Sequence, residues 1–230
     1  MWNNKKKAFT LSYDDGVTQD IRFVELLNRY GLKATFNLNS GIQSKANFWT
    51  RFDVTICRMN MDGLKELYAG HEIAVHSLTH PDLTKFDEET IYNELYRDKV
   101  NLESFFDTKI NGMAYPYGTH DEKVRAMVKK AGLRYARTVH STNAFDIPSD
   151  LLQLPATCHH NAENLMDLAE HFINAEPDPP QLFYIWGHSY EFDFDQSWER
   201  IEEFFRRISG RKDIFYGTNT EVLEPFFEKN

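Results

Sequence analysis

The chain has 230 residues, of which 41% are hydrophobic and 14% aromatic, enough for a substantial buried core. Its net charge of −9, with acidic and basic residues interspersed, argues against nucleic acid or an anionic lipid surface as a partner. It contains no apolar stretch long enough to cross a bilayer, so we predict no membrane span.

Short apolar runs alternate with longer amphipathic segments, which is the pattern of βα units around a parallel sheet. We predict strands at residues 8–13, 34–38, 72–75, 113–115, 135–139, 153–157, 182–186 and 214–216. The predicted helices are one that Gly31 ends, after the first strand, and those at residues 61–68, 87–106, 122–131, 164–173, 197–208 and 222–227. This order and the chain length predict a single domain over residues 1–230, an α/β fold. We expect a distorted (β/α) barrel of about seven parallel strands with surrounding helices.

Polar residues follow four of the predicted strands, at the point where each strand ends. They are Asp14-Asp15-Gly16, His76-Ser77-Leu78-Thr79-His80, Pro116-Tyr117-Gly118 and His188. Because the carboxyl ends of parallel strands meet at one edge, we expect these side chains to gather at the barrel mouth. Each has an ordinary alternative, since the two aspartates could cap a helix and His188 could be a surface imidazole. Their joint placement favours a functional site.

Two histidines and a carboxylate in this arrangement point to metal chemistry. Histidines separated by three residues can point the same way, as zinc ligands often do. Pro81 disfavours helical geometry at His80, so His76 and His80 should lie in a turn. Two imidazoles and one carboxylate leave coordination positions open for water and substrate, as a catalytic metal site requires. The other of the two adjacent carboxylates could then act beside the metal as a base.

These segments resemble the polysaccharide deacetylase family, also called carbohydrate esterase family 4 or the nodulation-type deacetylase domain. Residues 13–16 (YDDG) match its first motif, usually Thr/Ser-Phe-Asp-Asp-Gly, and residues 76–80 (HSLTH) match the second motif in full. Residues 115–118 (YPYG) are similar to the third motif, and His188 stands at the place of the final catalytic histidine. The motifs occur in the family's order and span nearly the entire chain.

The resemblance implies a catalytic centre with one divalent metal. Asp15, His76 and His80 would bind this metal, with zinc expected first and cobalt, manganese, nickel or iron as alternatives. Asp14 would be the general base that deprotonates the attacking water. His188 would then protonate the departing amine or alkoxide.

The third and fourth motifs depart from the family's pattern. By likeness, the backbone N–H of Tyr117, next to Pro116, would stabilise the oxyanion. The family's third motif normally begins with an arginine that orients the base, but Ala114 stands there in this chain. The fourth motif, Asp-x-x-Asp-Trp, is not recognisable. We expect Arg137, at the end of the next strand, to supply the missing guanidinium, and the alternative is an ordinary surface salt bridge.

Two histidines and a glutamate outside the motifs could support the site. His159 and His160 follow a predicted strand, so one of them could face the mouth and touch substrate, the alternative being a solvated loop pair. Glu191, three residues after His188, could fix the loop that carries this histidine, and capping a helix is equally plausible.

Residues 39–60 form a longer connection than βα units normally use. Connections of that length are usually functional or disordered. Phe48 and Trp49 lie within it, and their rings could stack on the apolar face of a pyranose. The alternative is that these aromatic rings close over the core.

The function that the resemblance implies is metal-dependent removal of acetyl groups from an acetylated mono-, oligo- or polysaccharide. One alternative keeps the fold but cleaves a non-acetyl C–N bond, as a deformylase or cyclic amidase does. Another is an inactive glycan-binding domain. A non-haem iron oxygenase also uses two histidines and a carboxylate, but usually on an all-β jelly roll. The sugar, the type of acetyl linkage, the native metal and the oligomeric state are left open by the sequence.

The cellular compartment is only weakly indicated. Cys57 and Cys158 are the two cysteines, with no disulfide framework and no zinc-ribbon spacing. Residues 1–7 are polar and run into a strand, without the apolar region of a secretory signal. We therefore expect a cytoplasmic protein if the chain is complete, with secretion as the alternative if it is a trimmed piece.

Overall fold

Residues 1–229 are described by a computed structural model, in which nine strands form one sheet and two form a hairpin. The strands are β1 (Lys7–Asp14), β2 (Thr35–Leu38), β3 (Phe48–Arg51), β4 (Val54–Cys57), β5 (Glu72–Val75), β6 (Gly112–Ala114), β7 (Tyr135–Ser141), β8 (Leu154–Ala156), β9 (Cys158–His159), β10 (Gln181–Gly187) and β11 (Ile214–Tyr216). The α-helices are α1 (Asp20–Arg29), α2 (Leu64–Leu67), α3 (Glu88–Phe106), α4 (Glu122–Lys130), α5 (Leu165–Asn174), α6 (Glu191–Phe194), α7 (Trp198–Ile208) and α8 (Asn219–Leu223). Short 3-10 turns lie at Trp2–Asn4, Met61–Gly63, Leu83–Lys85, Pro116–Gly118, Leu151–Gln153 and Glu224–Lys229.

The strands of the large sheet are parallel, in the order β8-β7-β6-β5-β2-β1-β10-β9, with β11 beside the first half of β1. Within residues 1–229, β8 and β9 are separated by Thr157 alone, whose N–H donates to the Tyr184 carbonyl in β10 at 2.7 Å. The segment 154–159 therefore pairs with β7 through β8 and with β10 through β9, which are the two ends of the strand order. This arrangement confirms the predicted α/β class with a mainly parallel sheet and surrounding helices.

Several helices begin at side chains that cap them. Asp87 accepts the Thr90 N–H at the start of α3, and Asp121 accepts the Val124 N–H at the start of α4. The apolar faces of these helices are buried. Leu95 of α3, for example, has no exposed surface. Across residues 1–229, no helix combines the length and the apolar character that crossing a bilayer would need.

Aromatic rings fill the space between the central strands and the helices. Phe9 of β1, Phe23 of α1, Phe36 of β2 and Phe183 of β10 are each at most 1% exposed and belong to one hydrophobic cluster. Fully burying a side chain of this size contributes about 1.5–3 kcal/mol. This packing fixes β1, β2 and β10, and so it fixes the positions of the polar residues at their carboxyl ends.

Residues 39–60, predicted as one long loop, contain an antiparallel hairpin made of β3 and β4. Phe48 pairs with Cys57, and Arg51 pairs with Val54. In the hairpin strands only Ile56 is buried, so the segment lacks the run of apolar residues by which the other strands were predicted.

The last helix begins earlier than the predicted range 222–227. Thr218 accepts the Glu221 N–H while the Glu221 side chain accepts the Thr218 N–H, which is a capping box. This pattern of Thr followed three residues later by Glu is visible in the sequence and marks the helix start. The α-helix then runs from Asn219 to Leu223, followed by a 3-10 turn.

Candidate active site

A cavity of about 530 Å³ opens at the carboxyl ends of the central strands. Seven of the residues predicted for the site line it, namely Asp14, Asp15, Trp49, His76, His80, Tyr117 and His188. The cavity thus brings together side chains from several elements, as parallel topology predicts. They come from β1, from the β3–β4 hairpin and from the segments after β5, β6 and β10.

Asp15, His76 and His80 converge in a geometry that fits a metal ion. Their ligand atoms, a carboxylate oxygen and two imidazole nitrogens, all lie within 4.8 Å of one another. The Nε2 atoms of His76 and His80 are 3.1 Å apart. Ligands held at about 2.0 Å from a tetrahedral zinc ion are about 3.3 Å apart. Asp15 and His80 have φ values of +83° and +60°, a left-handed backbone that L-residues adopt at some cost at functional sites.

The surroundings of His76 leave its Nε2 available as a ligand. Its Nδ1 lies 2.8 Å from the Ala114 carbonyl, so Nδ1 carries the proton and Nε2 carries the free lone pair. Burial lowers the pKa of His76 to about 4 and also lowers the pKa of His80, so both imidazoles are neutral. Asp98 accepts the backbone N–H groups of His76 at 3.2 Å and Ser40 at 2.7 Å, an anchoring role that the sequence analysis missed.

Arg58 is a second residue that the sequence analysis missed. Its guanidinium lies 2.9 Å from the Asp15 Oδ1 and donates to the Asp15 carbonyl at 2.6 Å and to Asn39 Oδ1 at 2.8 Å. Burial alone would raise the pKa of Asp15, but the charge of Arg58 and the nearby imidazoles together outweigh burial and lower that pKa. Arg58 follows the β3–β4 hairpin, and no sequence motif identifies it.

Asp14 is paired with Arg137, which the structure places in β7 with no exposed surface. The Arg137 guanidinium donates to Asp14 Oδ1 at 2.5 Å and also to Oδ2, and Asn37 donates to Oδ1 at 2.8 Å. The guanidinium also lies over the Trp186 ring, 4.6 Å from its centroid. Burial alone would raise the pKa of Asp14, but Arg137 and the nearby imidazoles lower it to about 2. The alternative of a surface salt bridge for Arg137 is wrong.

His188 stands between two sets of carboxylates. Its Nε2 is 3.8 Å from Asp14 Oδ2 and 4.0 Å from Asp15 Oδ2. On the other side of the ring, its Nδ1 is 3.3 Å from Glu191 Oε2, which also accepts the His188 backbone N–H at 3.0 Å. Burial alone would lower the pKa of His188, but Glu191 and the two aspartates raise it to about 9.

His159 and His160, both within the described part of the chain, are not among the residues that line the cavity, so the expectation that one of them touches substrate stays a prediction. Their Nε2 atoms lie 3.1 and 3.3 Å from Glu191 Oε2, behind His188. His159 of β9 is in register with Trp186 of β10, which lines the cavity, and the two rings are in edge contact with 4.6 Å between their centroids. His160 is 1% exposed, so the alternative of a solvated loop pair is wrong for it.

Tyr117 and Trp49 form the aromatic part of the cavity. Tyr117, after the buried Pro116, has a φ of +58°, and its ring lies 4.6 Å from that of His80. Trp49 packs edge-on against Tyr190 with 5.7 Å between ring centroids. Its neighbour Phe48 is 63% exposed, because successive residues of a strand face opposite sides.

The family model for polysaccharide deacetylase matches residues 2–136. This is more than half of the chain, which therefore belongs to the polysaccharide deacetylase family. The match confirms the resemblance indicated by the Asp-Asp-Gly and His-Ser-x-x-His motifs.

A curated relative is Chitin deacetylase 1 of Cryptococcus neoformans var. grubii, 32% identical over 131 residues. The alignment covers 56% of this chain and 25% of the relative, so the chain spans about a quarter of the length of that protein.

Solved structures support the fold. The Xyl-CE4 domain of a multidomain xylanase from the hindgut metagenome of Trinervitermes trinervoides has a TM-score of 0.63 at 18% identity, covering 95% of this chain and 90% of that one. BA3943 of Bacillus anthracis, described as a CE4 family pseudoenzyme, has a TM-score of 0.59 at 17% identity, covering 96% and 66%. At these identities the likeness concerns the fold alone.

Proposed function

We propose that this chain is a metal-dependent hydrolase that removes acetyl groups from an acetylated glycan. The observation that carries the proposal is the convergence of the Asp15, His76 and His80 ligand atoms within 4.8 Å. Asp14 and His188 flank this set on the cavity wall, with 3.8 Å between Oδ2 and Nε2. A ligand set with an acid and a base beside it is what amide or ester hydrolysis requires.

Asp15, His76 and His80 would hold one divalent cation. Two neutral imidazoles and a carboxylate suit zinc first, and cobalt, manganese, nickel or iron are alternatives. When bound, the cation supplies Lewis acidity, which polarises the acetyl carbonyl and lowers the pKa of water. Arg58 orients Asp15 by occupying Oδ1 at 2.9 Å.

Asp14 acts as the general base toward the attacking water. Its pKa of about 2 keeps it ionised at neutral pH, and Arg137 together with Asn37 fixes the orientation of its carboxylate. A carboxylate with a pKa this low is a modest base, so it would rely on a bound cation to make the water more acidic.

His188 acts as the general acid toward the leaving nitrogen or oxygen. Its pKa of about 9 keeps the imidazole protonated at neutral pH, with the Nε2 proton on the side of the aspartates. The backbone N–H of Tyr117, which also lines the cavity, would stabilise the developing oxyanion.

The substrate is an acetylated mono-, oligo- or polysaccharide. Trp49, Tyr117 and Trp186 line the cavity, and aromatic faces suit the apolar face of a pyranose ring. A cavity of about 530 Å³ is within the range that encloses small ligands. The activity named for the chitin deacetylase of C. neoformans agrees with this substrate class.

An acetate-release assay tests the proposal on a panel of N- and O-acetylated sugars, with metal-free protein loaded with zinc, cobalt or manganese. We expect metal-dependent acetate release, and we expect Asp14→Asn to reduce kcat by about 10²–10⁴-fold at unchanged bound metal. The exposed Asp62→Asn is the control and should retain the wild-type rate. Formylated sugars and cyclic amides in the same panel test cleavage of other C–N bonds.

A second candidate is a glycan-binding domain without activity. The structural likeness to BA3943, described as a CE4 family pseudoenzyme, is the observation in its favour. Oligosaccharide binding without acetate release at any metal loading would support this function and contradict the hydrolase. The presence of both a ligand set and flanking proton carriers favours the hydrolase, since a binder needs neither.

A further inference from the structure

A second group of metal-ligating atoms surrounds Glu191, on the side of His188 that faces away from the aspartates. Glu191 Oε2 lies 3.1 Å from His159 Nε2, 3.3 Å from His188 Nδ1 and 3.3 Å from His160 Nε2. The ligand atoms of His159, His188 and Glu191 all lie within 4.8 Å of one another. We call His159, His160, His188 and Glu191 the Glu191 cluster.

Two nitrogens of the Glu191 cluster are close to the carboxylate without a well-aligned hydrogen bond to it. His188 Nδ1 and His160 Nε2 are buried and have no hydrogen-bond partner within residues 1–229. Ligands of a tetrahedral ion are about 3.3 Å apart and point at the ion rather than at one another. The observed spacing is that of atoms that can share a cation, which would displace the proton on His159 Nε2, since His159 Nδ1 accepts the Asn161 N–H at 3.2 Å.

The charge balance of the cluster points the same way. In the part of the chain that the structure describes, the ion pairs of Glu191 involve imidazoles alone, without lysine or arginine. A carboxylate 14% exposed at its side chain needs a positive charge nearby. The His188 imidazolium supplies one such charge, and a divalent cation held by the cluster would replace the proton on its Nδ1.

We propose that His159, His188 and Glu191 form a second site for a divalent cation of the zinc class, and that a cation bound there inhibits hydrolysis. His188 belongs to both sites, since its Nε2 faces Asp14 and its Nδ1 faces Glu191. A cation on Nδ1 would displace the proton there and leave a bound imidazole whose Nε2–H is a weaker acid than that of the imidazolium, so we expect acetate release to slow. The inhibition rests on the proposed function, whereas the binding of the cation does not.

Metal stoichiometry tests the binding. Metal-free protein is titrated with Co²⁺ and then Zn²⁺, and bound metal is measured by elemental analysis after gel filtration and by the visible absorption of Co²⁺. We expect two equivalents in the wild type and in the exposed control His140→Gln, and one equivalent in His159→Gln. Asp15→Asn should lose the first equivalent and keep the second.

A second variant, Glu191→Gln, guards against misfolding of His159→Gln, and it too should bind one equivalent. Acetate release by the wild type should fall as the second equivalent of zinc binds. The His159→Gln variant should release acetate as fast under excess zinc as it does with one equivalent bound. If the protein releases no acetate, the stoichiometry still decides the second site. A wild type that binds a single equivalent, or folded His159→Gln and Glu191→Gln variants that bind two, would overturn the proposal.

Discussion

Replacing Arg137 by methionine should destabilise the fold strongly, because it leaves the Asp14 carboxylate buried without its counter-charge. Arg137 has no exposed surface and Asp14 is 3% exposed, so water can replace little of the lost partner. Breaking a buried ion pair in this way costs about 3–5 kcal/mol. For a chain of this size, 1 kcal/mol corresponds to about 2–4 °C, so we expect Tm to fall by about 6–20 °C.

The destabilisation should depend on pH with a definite sign. The pKa of Asp14 is lowered from 3.8 to about 2, so the pair contributes stability above pH 4 that is lost as the pH falls through 2. This contribution amounts to about 2 kcal/mol. In Arg137→Met the burial of Asp14 is no longer opposed by Arg137, so the gap to the wild type should narrow as the medium is acidified from pH 7 to 3.

Urea unfolding of metal-free protein at several pH values measures both effects. The matched control is Arg125→Met, because Arg125 and Asp150 are also 2.5 Å apart but 27% and 45% exposed. An exposed pair is worth at most about 1 kcal/mol. Adding Asp14→Asn to Arg137→Met should recover part of the lost stability. The reasoning is refuted if Arg137→Met loses no more than Arg125→Met, or if the double variant is no more stable than the single one.

Three further predictions concern the cavity. Glu191→Gln removes a negative charge that raises the pKa of His188 against the effect of burial. The basic limb of the pH profile of kcat/KM should therefore move from about pH 9 toward lower pH. An unchanged limb would exclude an effect of Glu191 on the pKa of His188. Trp49→Ala should raise KM for oligosaccharides about tenfold, which corresponds to about 1.4 kcal/mol. Phe48 lies outside the cavity, so Phe48→Ala should leave KM unchanged. Equal effects of the two substitutions would contradict sugar stacking at Trp49. His80→Gln should weaken zinc binding at least about tenfold in a chelator competition, and wild-type affinity would remove His80 from the ligand set.

Several elements of the fold and site follow from local sequence. Alternating apolar runs and amphipathic segments predict the parallel sheet, since strands buried on both faces are apolar throughout. The site residues Asp14, Asp15, His76, His80 and His188 each follow a strand, and parallel strands bring their carboxyl ends to one edge. Sequence position therefore predicts that these residues meet, without any knowledge of the distances between them.

The partners of these residues are decided by the tertiary structure alone. Arg137 and Asp14 are 123 positions apart, and Arg58 and Asp15 are 43 apart. The sequence suggested Arg137 only because a family motif lacked its arginine, and it gave no sign of Arg58. Which buried charges pair depends on strand order and on the position of the β3–β4 hairpin, and both result from packing between distant segments.

The environment of His188 is a further outcome of packing. Its place after a strand is readable in the sequence, but its pKa of about 9 is not. That value depends on carboxylates from two separate segments facing opposite sides of one buried ring, with His159 and His160 behind Glu191. Local sequence thus determines which chemical groups reach the carboxyl edge of the sheet. Long-range packing determines their charges, because burial and neighbouring charges exist only once the chain has folded.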